Sequence, residues 1–157
     1  MGWDDEHLFE FHFDHGRFGT RHPEFQDGQN PVRSIRSAVL NDQISPETNQ
    51  FHYIYDIGDY WVHEIVVEEV LSNDTNELVL QCVGGEYQCP PEDIGGAPGY
   101  ETFLEAIADH SHEERAYYLE VYGDEFDPVY FSLEKINDRL NKIRKMLARS
   151  YLKSRRQ

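Results

Sequence analysis

The stretch FHYIYDIGDYWVHEIVVEEVL, Phe51 to Leu71, carries the clearest alternation of apolar and polar positions in the chain. Phe51, Tyr53, Tyr55 and Ile57 fall on one face, and after a turn at Gly58-Asp59 so do Trp61, His63, Ile65 and Val67. Period-two spacing of aromatic and β-branched side chains predicts a hairpin with one buried face, with Trp61 and His63 on it. HLFEFHF, His7 to Phe13, alternates in the same way, and Asp14-His15-Gly16 predicts a turn into a short strand at Arg17–Gly19. Positions 21–31 are loop-like, and SIRSAVLNDQI then reads as strand followed by a helical turn. NDTNE, Asn73 to Glu77, predicts a turn into a third strand, LVLQCV, which would complete an antiparallel meander.

Further along, the apolar spacing lengthens to three and four residues. Phe103, Leu104 and Ile107 share one face of a helix starting near Tyr100. Ser111 with Glu114 forms a capping-box pattern for a second helix, in which Tyr118, Leu119 and Tyr122 face inward and Gly123 is the stop. Asp127-Pro128 reads as a cap followed by a first-turn proline. A last helix begins near Ser132, with Leu133, Ile136, Leu140, Ile143, Leu147 and Tyr151 as its apolar stripe. The expectation is an α+β fold over residues 1–157 as one domain: an antiparallel sheet with a central hairpin, packed against C-terminal helices.

At 157 residues and 39% apolar, the chain can bury roughly 70% of its unfolded surface. No apolar run approaches the roughly 20 residues that span a bilayer, and the acidic start MGWDDEHLFEF lacks a signal-peptide pattern. Two cysteines make no disulfide framework, so a cytoplasmic protein without membrane contact is expected. Charge is unevenly distributed. Nine of the 14 Lys and Arg lie between Lys135 and Arg156 against one acid, which splits the net −16 into −24 for residues 1–134 and +8 for the tail. An acidic body repels phosphate, so nucleic acid could be bound only through the C-terminal helix.

Two acidic loops carry the candidate chemistry. In YDIGDYWVH, Asp56 and Asp59 flank a Gly58 turn ahead of His63; in CPPEDIGGAPGY, prolines and glycines hold Glu92 and Asp93. Asp56, Asp59, His63, Glu92 and Asp93 are therefore the candidate catalytic residues, as ligands of a divalent metal or as a general base. The structural reading is preferred: the two aspartates stabilise the turn, His63 is a hydrogen-bonded core residue, and the loop carboxylates accept backbone N–H bonds. It requires no metal and no cofactor. Cys82 and Cys89, even with His110 or His112, and the N-terminal His7, His12 and His15 give weaker signals. There is no phosphate loop, nucleophile elbow or dinucleotide fingerprint. If the protein is instead a binding module, the expected contact residues are Trp61 and Tyr100 beside these loops and the cations opposite the apolar stripe. Those cations are Lys135, Arg139, Lys142, Lys145, Arg149, Lys153 and Arg156.

MGWDDEHLFEF, YDIGDYWVHEI, CPPEDIGGAPGY, FLEAI and FDPVYFSLEKINDRL, in this order and spacing, resemble the plasmid pRiA ORF-three-like family, which includes TnpR-like passenger proteins of insertion elements. The resemblance implies a compact α+β domain of plasmid or mobile-element association, with no established activity and an unknown protein or mobile-element partner. It places the family's hallmark positions on Trp3, His7, Tyr55, Asp56, Gly58, Asp59, Trp61, His63, Pro90, Pro91, Glu92, Asp93, Gly95, Gly96, Gly99, Tyr100, Asp127 and Asn137. Family members usually carry a strand and a helix before the Gly-Trp motif, so a shortened reading frame or a variant with an uncovered sheet edge is expected here.

Overall fold

The computed structural model describes residues 2–20, 31–72 and 78–154, the last four by backbone alone. The predicted loop at 21–30, the Asn73–Glu77 turn and Arg156 lie outside the described residues, as do the side chains of Tyr151 and Lys153. The chain divides into two compact units, residues 1–70 with 90–124, and residues 71–89 with 125–157.

The first unit is built on a five-stranded sheet in the order β3-β2-β1-β4-β5. Its strands are β1 (Phe9–Phe13), β2 (Gly16–Gly19), β3 (Val32–Ser34), β4 (Gln50–Tyr55) and β5 (Trp61–Val66). Neighbours pair antiparallel except β2 with β3, which are parallel. The segment SIRSAVLNDQI supplies the end of β3 and two short 3₁₀ turns, Ile35–Ser37 and Leu40–Asp42.

Register explains the aromatic spacing. Phe11 lies opposite both Phe18 and Tyr53, Phe9 opposite Tyr55, and Tyr55 opposite Trp61. Because directly opposed residues share a face, the aromatics of four strands gather on one side of the sheet. Phe18, Phe51 and Tyr55 are buried there, while Trp61 and His63 are half-buried. On the opposite side Ile54 is buried, and buried Glu10 meets His12 at 2.6 Å and Arg17 at 3.5 Å. The predicted face ends early, at Tyr55. Asp56 turns to φ 55°, which puts Ile57 in the turn and out of the strand.

Helix α1 (Gly96–Ala108) and α2 (Arg115–Tyr122) complete this unit. Phe103 and Ala106 of α1 are fully buried, and Phe103 meets Tyr118 and Tyr122 of α2 edge-on. Gly123 ends α2 as expected, with φ 81°. The capping box does not form. Ser111 gives both its N–H and its hydroxyl to the Asp109 carboxylate, and α2 starts four residues later. The Arg115 guanidinium donates to the Ala106 and Ile107 carbonyls, satisfying the end of α1.

The second unit holds α3 (Leu133–Ser154) and the segment before residue 90. Ser132 caps α3 by accepting the Lys135 N–H at 3.3 Å, so the helix starts where the sequence predicts. LVLQCV belongs to no strand. Instead, the Asn137 amide holds the Cys82 peptide from both sides, accepting its N–H and donating to its carbonyl, each at 2.9 Å. Strand-prone side chains alone make no ladder, because strand preference depends on neighbours to pack against. Asp127-Pro128 forms a turn and caps no helix: Asp127 accepts the Val129 N–H at 3.1 Å, and the Pro128 carbonyl accepts the Gln88 N–H at 3.0 Å.

Candidate functional site

The two acidic loops converge with the N-terminal segment at one end of the sheet in the first unit. Asp56 Oδ1 accepts the Gly58 N–H at 2.9 Å, which makes the hairpin turn self-stabilised by a side chain. Asp59 Oδ2 accepts the Gly95 N–H at 3.0 Å and so joins the turn to the second loop. Gly95 and Gly96 there have φ 89° and 67°, a region that side chains with a Cβ rarely enter.

Glu92 ties three segments together. Its Oε1 accepts the Asp4 N–H and the Tyr55 hydroxyl, both at 2.9 Å. Burial, and then this carboxylate, push the Tyr55 phenol up to about 12. Trp3 lies nearly parallel on Tyr55, with ring centroids 4.8 Å apart, and its indole N–H donates to the Pro90 carbonyl at 2.8 Å. Asp93 also has φ 55°, and its carbonyl accepts the Tyr122 hydroxyl at 3.1 Å.

His63, grouped with the aspartates from sequence, belongs to the aromatic face. Its Nδ1 contacts the Tyr53 carbonyl at 3.0 Å, and Trp3 meets its ring edge-on. The histidine among the carboxylates is His7. Its Nδ1 lies 3.5 Å from Asp56, and its Nε2 lies 3.3 Å from Asp93 and 3.9 Å from Glu92. Spacing gave no sign of this, because His7 reaches the two loops only after β1 has paired with β4. The Trp61 and Tyr100 ring centroids lie 6.3 Å apart.

Lys135, Arg139, Lys142 and Arg149 all lie on α3 in the second unit. Lys135 folds over the Tyr130 ring at 5.0 Å, and hydrogen bonding from Lys135, then from Ser132, lowers the Tyr130 phenol pKa. Lys142, Lys145, Met146 and Arg149 line a shallow depression. Cys82 donates weakly to the Gly84 carbonyl at 3.3 Å, and neither cysteine is in a disulfide.

A mostly antiparallel sheet whose N-terminal segment, hairpin turn and Pro-Gly loop are bound together defines a small α+β class. The chain belongs to the plasmid pRiA4b ORF-3-like family, whose model matches residues 1–135. It is 36% identical over 140 residues to an uncharacterized protein, y4hQ, of Sinorhizobium fredii (strain NBRC 101917 / NGR234), a match covering 87% of this chain and 70% of that one. It is also similar to the crystal structure of a protein of unknown function, MM3350 from Methanosarcina mazei Go1. That likeness has a TM-score of 0.73 and 32% identity, over 86% of this chain and 75% of the other. No helix among the described residues is long and apolar enough to cross a membrane.

Proposed function

We propose that the protein is a non-catalytic binding module of plasmid or mobile-element systems, in which the loop assembly is scaffold and α3 carries the partner surface. The observation behind the scaffold reading is that Asp56, Asp59 and Glu92 each commit an oxygen to a hydrogen bond that holds the fold. Carboxylates that fix a turn, a loop glycine and the N-terminal segment in this way act as parts of the fold. The plasmid reading frame in the family's name supports the mobile-element association.

The partner surface rests on α3, where Leu133, Ile143, Met146 and Leu147 are exposed, Met146 by 61%. An apolar stripe flanked by Arg139, Lys142, Lys145 and Arg149 suits an acidic protein groove, in the manner of helix-in-groove recognition. A photo-crosslinker at Met146 in the native host, with a control crosslinker at exposed Glu101, tests the reading. We expect one dominant protein adduct from Met146, lost when Ile143→Glu and Leu147→Glu are combined. Equal labelling from both positions would count against it. Tight, steeply salt-dependent binding of duplex DNA that survives the double substitution would favour nucleic acid instead.

A further inference from the structure

We propose that His7, Asp56 and Asp93 form a binding site for one divalent transition-metal ion of the zinc type, which staples the N-terminal segment to the hairpin turn and the Pro-Gly loop. The inference goes beyond the binding-module reading and does not depend on it.

One ring nitrogen of His7, one Asp56 oxygen and one Asp93 oxygen all lie within 4.8 Å of one another. The charge arrangement around the imidazole favours a cation. Carboxylate oxygens face both ring nitrogens, Asp56 on the Nδ1 side and Asp93 with Glu92 on the Nε2 side. One ion uses one ring nitrogen, so it would sit between Nε2 and the Asp93 carboxylate and draw the Asp56 oxygen in from the Nδ1 side. The contacts of 3.5 and 3.3 Å also exceed the roughly 2.7–3.2 Å of a good N–H···O bond. At 3.3 Å, the Nε2–Asp93 pair already has the roughly 3.3–3.5 Å separation of two ligands bonded to one ion at about 2.0–2.2 Å.

The ligand atoms are also differently engaged. Asp56 binds the Gly58 N–H through Oδ1, whereas Oδ2 is the oxygen nearest His7. Glu92 holds Asp4 and Tyr55 through Oε1, whereas Oε2 is turned toward the ring. An imidazole nitrogen with two carboxylates suits zinc and its neighbours better than magnesium or calcium, which prefer all-oxygen sites. Asp93 is exposed, with 74% of its side chain accessible, so the remaining coordination positions open to water.

Isothermal titration of the metal-free full chain with zinc chloride, followed by thermal melts with and without the ion, tests the site. We expect a saturable one-to-one isotherm, a raised Tm, and no comparable effect of magnesium. His7→Gln and Asp93→Asn should each weaken binding by about tenfold or more while leaving the circular dichroism spectrum unchanged. Asp93→Asn keeps the test sound if His7→Gln fails to fold, because the Asp93 side chain is exposed. Absence of saturable binding by the wild type overturns the proposal, and so does binding that both variants retain. Either outcome leaves the crosslinking test of α3 unaffected.

Discussion

Gly96 packs its Cα directly against the Asp59 backbone, so closely that a Cβ would enter the van der Waals radius of the Asp59 carbonyl oxygen. The same glycine has φ 67° and begins α1. The contact brings the loop's end against the hairpin turn, where the Asp59 carboxylate takes the Gly95 N–H.

Gly96→Ala should therefore destabilise the first unit by roughly 1–3 kcal/mol, from left-handed strain and displacement of the turn. Urea denaturation measures it. Gly84→Ala is the control, since no atom within 4 Å would meet its added methyl. Equal stability of the two variants would remove the close approach as a determinant of the fold.

The Tyr55–Glu92 hydrogen bond predicts a specific alkaline response. The phenol titrates near 10.0 when unfolded and about 12 when folded, so the folded state holds its proton more tightly. The stability this contributes is complete below about pH 10 and is lost as pH rises toward 12. Tyr53, Tyr118 and Tyr122 are also raised, chiefly by burial, so both wild type and Tyr55→Phe should weaken in this range. Wild type should fall more steeply, and the gap between the two should narrow from pH 10 upward. Parallel curves would show that Tyr55 is not the group responsible.

Asn137→Ala should leave the Cys82 N–H and carbonyl without their side-chain partner, at a cost of about 1–3 kcal/mol where water does not replace it. Hydrogen exchange at the Cys82 amide is the direct measurement. Faster exchange at Cys82, with unchanged protection in β1 and β4, is the expected pattern. Unchanged exchange at Cys82 would mean that the amide does not hold this segment.

Trp3→Phe should retain part of the ring packing on Tyr55 but lose the hydrogen bond to Pro90, whereas Trp3→Ala loses both. The expected costs are about 1 kcal/mol for the phenylalanine variant and 2–3 kcal/mol for alanine, below the roughly 3–5 kcal/mol of a fully buried aromatic. Trp61→Ala belongs in the same lower range, because Trp61 is half-buried. Denaturant midpoints of the three variants decide the order.

The sequence by itself determined the features that repeat over a few residues. Alternation placed β4 and β5, and the Gly58 turn between them followed from Asp and Gly side-chain chemistry. Ser132 marked the start of α3 and Gly123 the end of α2, because a helix end is completed by its immediate neighbours. LVLQCV is equally rich in strand-prone side chains, yet pairing needs a partner strand that no local pattern specifies, and its Cys82 peptide is held by Asn137 instead. Only the tertiary structure decided that His7, and not His63, joins Asp56 and Asp93, because β1 must first lie beside β4 for these distant residues to meet. Side-chain chemistry is legible from residue names, but convergence depends on which backbones pair.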